Sequence, residues 1–166
     1  DAAPSEPMRT PRPTLIAGLA MAASTACGGA VSATDVKRPT IVCTTTMIGD
    51  IAREVAMDEA RVVVLFGPDV DPHLFRPTRD DVAALMRADV VLYSGFHLEG
   101  YLVETLERVA ETGTRVVAVA EEILDEGEVI ASAGTPDPHV WMDPSLWRRS
   151  AALVASVVGD LVPESR

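Results

Sequence analysis

Four short runs of β-branched and other apolar residues alternate along the chain with segments of helical periodicity. The runs cover residues 40–43, 62–65, 90–93 and 116–119. Short apolar runs of this composition predict buried strands. Neighbouring parallel strands need crossover connections, and the segments between the runs are long enough to supply them. The sequence therefore predicts an α/β fold in which a parallel sheet is flanked by helices on both faces.

Four helices are predicted from apolar residues that recur with the helical period. Thr78 with Asp81 three residues later is typical of a capping box, and Asp143 before Pro144 predicts an N-cap with proline in the first turn. Residues 120–138, which are rich in acidic side chains, are expected to run over the surface. The residues expected to face the core are, in chain order, Ile48, Ile51, Ala52 and Val55; Val82, Leu85 and Met86; Leu98, Leu102, Leu106 and Val109; and Leu146, Ser150, Leu153, Val154, Val157 and Leu161.

Length and charge restrict the classes of function. The 166 residues are enough for one domain with a hydrophobic core, and a hydrophobic content of 48% argues against wholesale disorder. The formal net charge is −11, and residues 1–30 contribute nothing to it because their two acidic side chains are balanced by two arginines. An acidic domain repels nucleic acid and anionic lipid, so we expect no nucleic-acid partner. Charge alone does not distinguish a cation-binding surface from an ordinary soluble one.

The N-terminal region has the layout of an export signal. Met8, Arg9 and Arg12 precede nine residues of mainly apolar character, 15–23, which are followed by small residues. This order is typical of a secretory signal peptide, and the apolar stretch is too short to span a bilayer as a helix. We therefore predict a signal peptide over residues 8–27, preceded by seven upstream residues, 1–7.

Cys27 directly follows the small residues at the predicted cleavage site. Cleavage before a cysteine resembles a bacterial lipoprotein signal, so we expect Cys27 to carry lipid, with plain secretion as the alternative. The protein is then extracytoplasmic, lipid-anchored to the bacterial cell membrane or periplasmic, and contacts the membrane only through the anchor. Residues 28–39 are small and polar and predict a tether. Cys43 would be left without a partner, as a small buried apolar residue.

Two of the three histidines occur in the same tripeptide, as Asp71-Pro72-His73 and Asp137-Pro138-His139. They follow the second and fourth predicted strands, so both loops emerge at the carboxyl edge of the parallel sheet, where ligands of open α/β sheets bind. Two neutral imidazoles suit zinc, manganese, iron or copper, and the preceding aspartates are candidates to orient the rings. The alternative is that both are loop histidines with local hydrogen bonds. We predict that His73 and His139 are metal ligands, supported by Asp71 and Asp137.

Two further residues at the same edge are weaker candidates for metal ligands. His97 follows the third strand but lacks the Asp-Pro frame, and Glu99 lies two residues later. Glu99 is expected to start a helix, where an acidic side chain offsets the helix dipole. For both we favour a structural role. Trp141 and Trp147 are expected to pack, with shielding of the metal loop as an alternative.

Three segments together resemble the zinc and manganese solute-binding proteins of ABC importers: residues 67–73 (GPDVDPH), 94–100 (SGFHLEG) and 137–144 (DPHVWMDP). The resemblance extends from about residue 40 to the end of the chain. It implies a two-lobed protein in which each lobe is an α/β sheet, a long helix joins the lobes, and one metal ion is held between them. Residues 40–166 would be the N-terminal lobe, without the C-terminal lobe.

The same resemblance implies the ligand set. His73 and His139 correspond to the two histidines of the N-terminal lobe, while the other lobe adds a histidine or glutamate and an aspartate. The residue at the position of His97 stays outside the coordination sphere. The cofactor would be one divalent ion, manganese, zinc or iron. The acidic segment 121–137 contains no histidine, which slightly favours manganese or iron over zinc.

Three functions remain open from the sequence. The first is capture of the metal and its delivery to the membrane permease of an ABC importer, without enzymatic activity. The second is a metal-dependent hydrolase that uses the two histidines, with Glu99 or Asp143 as general base. The third is a surface adhesion lipoprotein. The predicted export signal and the absence of a nucleophile motif favour the first.

Overall fold

The computed structural model describes residues 38–125, 127–128, 131–132 and 134–162. The predicted signal peptide, Cys27 and most of the predicted tether lie outside these residues. Within them, the guanidinium of Arg38 donates a hydrogen bond of 2.9 Å to the carbonyl of Asp58, and the carbonyl of Pro39 accepts one of 2.8 Å from the N–H of Arg61. The last residues before the first strand therefore already contact the fold.

The centre of the fold is a four-stranded parallel sheet with strand order β2-β1-β3-β4. Ile41 of β1 pairs with Val62 on one side and with Val90 on the other, so β1 and β3 are the two inner strands. The predicted parallel sheet is confirmed, with β2 and β4 each beginning one residue earlier than expected. The strands are β1 Thr40–Cys43, β2 Arg61–Val64, β3 Val90–Tyr93 and β4 Arg115–Ala118.

Among the described residues, five helices surround the sheet, and a short hairpin and one 3-10 turn lie between β4 and the last helix. The helices are α1 Thr46–Ala56, α2 Arg79–Leu85, α3 Val103–Glu111, α4 Val119–Glu122 and α5 Pro144–Leu161. The hairpin strands are β5 Ala131–Ser132 and β6 Thr135–Pro136, and the 3-10 turn is Val140–Met142. None of these helices, in the part of the chain that the structure describes, is long and apolar enough to cross a membrane.

Both predicted helix caps are present. Thr78 and Asp81 form the reciprocal capping box at the start of α2, and the carboxylate of Asp143 accepts from the N–H of Ser145 and of Leu146 at the start of α5. These bonds satisfy backbone donors that the first turn of a helix leaves without an intrahelical partner.

Alternate residues of the inner strands enter two separate hydrophobic clusters, as the period of a strand requires. Ile41 and Cys43 lie in the cluster formed with α1 and α5. Val42 lies in the cluster on the opposite face, with Leu85 of α2 and Val109 of α3. All three strand residues are fully buried. The sheet is thus covered by helices on both faces, as predicted, and the loops lie at the ends of its strands.

Two predicted core residues are exposed. Val55 is 36% exposed. Helix α1 packs through Ile48, Ala52 and Ala56, which recur every four residues on one face, and Val55 lies beside that face. Met86 is 47% exposed, because α2 ends at Leu85 and the side chain of Met86 lies beyond the packed turn.

The segment after β4 was expected to run over the surface, and for its first residues this prediction is wrong. The N–H of Ala120 donates a hydrogen bond of 2.9 Å to the carbonyl of Ser94, which ties α4 to the end of β3. Ala120 and Ile123 are buried and form a small cluster with Val140. The chain therefore folds back against the carboxyl edge of the sheet before it reaches the second Asp-Pro-His motif.

Candidate metal centre

A cleft of about 300 Å³ lies at the carboxyl edge of the sheet. The start of α1, the loop after β2 and the 3-10 turn before α5 meet around it, because parallel strands all end at this edge. Leu98, which is 1% exposed, contributes an apolar wall. The residues that line the cleft are Thr45, Thr46, Met47, Phe66, Gly67, Pro68, Val70, Asp71, Pro72, His73, Leu98, His139 and Trp141.

The two predicted imidazoles meet in this cleft. The ring centroids of His73 and His139 are 5.8 Å apart, with an angle of 51° between the ring planes, and both side chains are exposed to solvent. A metal–nitrogen bond of about 2.1 Å places two imidazoles that share one ion with their centroids about 5 to 6.5 Å apart. The observed separation falls inside that interval. Two residues that are 66 positions apart in the chain can therefore reach one ion with little movement.

Each aspartate of the repeated tripeptide holds the backbone of its histidine. Oδ1 of Asp71 accepts from the N–H of His73 at 2.9 Å, and Oδ1 of Asp137 accepts from the N–H of His139 at 3.0 Å. These are side-chain turns of the kind that Asp forms with the residue two positions later. The fixed φ of the intervening proline further restricts the loop. The tripeptide thus explains why the same local geometry occurs twice.

Asp137 also holds the ring of His139. Nδ1 of His139 lies within hydrogen-bond distance of Oδ1 of Asp137. These bonds from the backbone and the ring of His139 lower the pKa of the Asp137 carboxyl. With Nδ1–H as the donor, the lone pair of Nε2 is left for another partner, which is how carboxylates set the tautomer of metal-binding histidines. Trp141 packs against the same ring in a T-shaped arrangement, with centroids 5.0 Å apart, which limits the rotation of the imidazole.

Glu99 lies outside the cleft and is buried, with 1% exposure. Its Oε1 accepts from the hydroxyl of Thr44 at 2.7 Å and from the N–H of Ser94 at 2.8 Å, and its Oε2 accepts from the N–H of Gly95 at 3.2 Å. Burial raises the pKa of Glu99, while these hydrogen bonds oppose the increase. The structure does not bring this carboxylate to the imidazole pair. The expected helix start at Glu99 is wrong, because α3 begins at Val103.

His97 is exposed and is not among the residues that line the cleft. Its backbone has φ of 58°, and the preceding Gly95 and Phe96 also have positive φ. This left-handed turn directs the chain so that Leu98, rather than His97, faces the cleft. The N–H of Phe96 donates a hydrogen bond of 2.7 Å to Oε1 of Glu121, a contact that the sequence did not predict.

His139 also lines a second cavity of about 460 Å³, which no sequence pattern indicated. It is lined by the start of α5 and by the segment after α4, and Met142 at its rim is 77% exposed. Trp147 packs on the core between the sheet, α1 and α5, which matches the packing role expected for it. The tryptophans therefore differ: Trp141 borders the cleft and Trp147 belongs to the core.

Within the described ranges, no group of three or more His, Cys, Asp or Glu side chains is arranged to hold a metal ion. The described part of the chain thus brings together two imidazole donors, and the aspartates beside them, Asp71 and Asp137, use Oδ1 to hold the backbone of the histidines. Structural zinc sites have four ligands, and catalytic sites have three protein ligands. The two imidazoles therefore form only part of the coordination sphere that such an ion needs.

Comparison with known proteins identifies the family of the chain. The family described as ZnuA, zinc-uptake complex component A periplasmic, matches residues 41–166. The manganese-binding lipoprotein MntA of Bacillus subtilis is 43% identical over 108 residues, which cover 64% of this chain and 35% of the relative. The iron-binding protein YfeA of Yersinia pestis is 33% identical over 109 residues, 66% of this chain and 35% of the relative.

The zinc-binding protein TroA of Treponema pallidum is similar in sequence and in structure. It is 38% identical over 127 residues, which cover 76% of this chain and 41% of the relative. Its solved structure superimposes with a TM-score of 0.72 and 36% identity, covering 76% of this chain and 45% of that one. The chain therefore spans less than half the length of these relatives. The resemblance predicted from the three motifs is confirmed: the chain belongs to the ZnuA family of periplasmic zinc-uptake components.

Proposed function

We propose that the chain captures a divalent transition-metal ion as cargo between His73 and His139 and delivers it, outside the cytoplasm, to the membrane permease of an ABC importer. The observation that carries the proposal is the convergence of the two imidazoles, 5.8 Å apart, over an exposed cleft. The printed names of the relatives, which are manganese-, zinc- and iron-binding proteins, support metal as the cargo.

The donor set fits such an ion but does not select one. Imidazole nitrogen is a good ligand for zinc and iron and an acceptable one for manganese, so ligand type restricts the choice only loosely. The remaining ligands come, in this proposal, from a second lobe that closes on the cleft. The support for a second lobe is that the chain matches only 35% to 45% of the length of its relatives.

The positions of Glu99 and Asp143, the two candidate general bases of a hydrolase, support binding without catalysis. Glu99 is buried outside the cleft and accepts three hydrogen bonds, while Oδ1 of Asp143 caps α5 through Ser145 and Leu146. Glu99 is therefore not placed to activate a water molecule on an ion held by the imidazole pair, and Oδ1 of Asp143 is committed to the helix cap. A general base must lie within hydrogen-bond reach of the proton that it takes.

The location and the partner follow from the proposed role. An export signal over residues 8–27, lipid on Cys27 and a tether over residues 28–39 would hold the lobe of residues 40–166 close to the permease. The family description, a component of a zinc-uptake complex, supports a membrane partner. Attachment through Cys27 is tested by mass spectrometry of the mature N-terminus, and an unmodified Cys27 would favour plain secretion.

Calorimetric titration of manganese and zinc tests the metal site directly. We expect the protein in its full natural length to bind one ion, and His73→Ala or His139→Ala to weaken binding by on the order of 100-fold, because each removes a ligand. His97→Ala is the matched control, since it removes an exposed histidine beside the cleft, and binding should stay within about threefold.

Three results would contradict the proposal. Equal losses of metal affinity in all three histidine variants would show that His73 and His139 are not the specific ligands. Hydrolysis of an ester or phosphate that persists through purification and stops with a chelator would favour the enzyme. Binding of a host ligand in the presence of chelator, with no metal binding, would favour the adhesion protein.

A further inference from the structure

The turn that follows β3 has a backbone conformation that its sequence disfavours. Gly95, Phe96 and His97 have φ of 93°, 47° and 58°, three consecutive left-handed residues of which two carry a Cβ. Left-handed backbone is unfavourable for residues other than glycine and normally occurs singly. Such strain persists only where the surroundings determine it, and it is concentrated at functional sites.

Two carboxylates hold this turn through its backbone N–H groups. Glu99 accepts from the N–H groups of Ser94 and Gly95, and Glu121 accepts from the N–H of Phe96. The turn is closed by a 3.0 Å hydrogen bond from the N–H of Leu98 to the carbonyl of Gly95. Three successive backbone donors are thus committed to side chains that come from the turn itself and from α4.

Glu99 connects the turn to the cleft through β1. Its Oε1 accepts from the hydroxyl of Thr44, which is 55 positions earlier in the chain and fully buried. Thr44 directly precedes Thr45 and Thr46, which line the cleft and begin α1. On the other side, Glu99 is adjacent to Leu98, the buried wall of the cleft. One carboxylate therefore links the residue before the Thr45–Thr46 side of the cleft to the residue after its Leu98 wall.

We propose that Glu99 is a positioning residue for the metal cleft, which sets the distance between His73 and His139 by holding the Leu98 turn against the end of β1. This inference rests on the proposed function. Glu99 acts through the wall of the cleft and does not touch the ion. Loss of its carboxylate leaves the Thr44 hydroxyl and the Ser94 and Gly95 N–H groups without acceptors in a buried site, so the turn rearranges.

The two oxygens of Glu99 accept different numbers of hydrogen bonds, two at Oε1 and one at Oε2, so two substitutions can remove the contacts in steps. In Glu99→Gln the carbonyl oxygen can take the Oε1 position and keep the bonds from Thr44 and Ser94. The amide nitrogen then faces the N–H of Gly95, donor against donor. Glu99→Ala removes all three acceptor contacts. The effect on the cleft should increase from Gln to Ala if positioning is the role.

Cobalt(II) is a suitable probe because its visible absorption reports coordination geometry as well as binding. In the protein of full natural length, we expect Glu99→Gln to bind cobalt about threefold more weakly and Glu99→Ala about tenfold more weakly, both with altered visible bands. The control is Val109→Ala, a fully buried residue of α3 near the amino edge of the sheet, away from the cleft. It should lower the melting temperature and leave the cobalt affinity and spectrum unchanged.

The outcomes separate this inference from the proposed function. If the wild-type protein binds cobalt, and His139→Ala weakens binding sharply, but Glu99→Gln has wild-type affinity and spectrum, the positioning role is overturned and the metal site stands. If Val109→Ala weakens binding as much as the Glu99 variants, the effect is global stability and the inference is also overturned. If the wild-type protein binds no metal, the proposed function fails, and the inference fails with it. Should Glu99→Ala not fold, Glu99→Gln decides alone.

Discussion

Gly49 in α1 allows the helix to approach the sheet closely, and replacing it by alanine is a sharp test of that packing. A Cβ added at Gly49 would lie 2.4 Å from Cγ2 of Val64 in β2 and 3.7 Å from its Cβ. Gly49 is buried, and α1 carries Thr46 and Met47 into the cleft from this position. The contact between α1 and β2 therefore determines where one side of the cleft lies.

Two opposing energies decide the outcome of Gly49→Ala. Alanine gains about 1 kcal/mol over glycine in helix propensity. Overpacking a buried site costs about 1–3 kcal/mol, and the upper part of that range applies because the clash is severe and the χ1 of a valine in a strand is restricted. The net expectation is a loss of about 1–2 kcal/mol in the free energy of unfolding.

Gly159 in α5 provides the matched control, since an added Cβ there meets no atom within 4 Å. Gly159→Ala should stabilise by about 0.5–1 kcal/mol through propensity alone. Urea denaturation followed by circular dichroism measures both. The double variant Gly49→Ala/Val64→Ala should show a favourable coupling energy, because the second change removes the clashing methyl. If Gly49→Ala stabilises as much as Gly159→Ala, the close approach of α1 to β2 is refuted.

Two further predictions follow from the titration of single groups. Hydrogen bonds from Ser145 and Leu146 lower the pKa of Asp143, so its stabilisation of α5 is present at neutral pH. This stabilisation is lost as the pH falls below about 3.9, the unfolded pKa, and through the folded pKa. The difference in melting temperature between wild type and Asp143→Ala should shrink over that range, and a constant difference would contradict this. Burial raises the pKa of Cys43 to about 12, so iodoacetamide should label it, by peptide mapping, only after unfolding; rapid labelling of the native chain would be inconsistent with this.

Local patterns predicted the sheet well because they carry most of the information about it. The inner strands β1 and β3 consist of β-branched and apolar residues and have the predicted bounds. The outer strands β2 and β4 each begin at an arginine, Arg61 and Arg115, whose side chains break the apolar run while their backbones still pair. Helix starts were found where a side chain caps the backbone, as at Thr78 and Asp143.

The site could be predicted only as far as its signals are local. The repeated Asp-Pro-His tripeptide predicted that two imidazoles would share one edge, and the structure brings them together. The environment of Glu99 could not be predicted, because its acceptor contacts involve Thr44, far away in the chain. Burial of a charged side chain is decided by such distant donors and leaves no periodic pattern. The buried contacts of Ala120 and Ile123 were missed for the same reason.

The most direct test of the central claim is an anomalous-diffraction map of crystals of the manganese- or zinc-loaded protein, recorded at the absorption edge of the metal. The account predicts one strong peak about 2.0–2.2 Å from a ring nitrogen of both His73 and His139, at Nε2 for His139, with His97 and Glu99 outside the coordination sphere. A peak bound to only one of the two imidazoles, or a peak at His97, would contradict it.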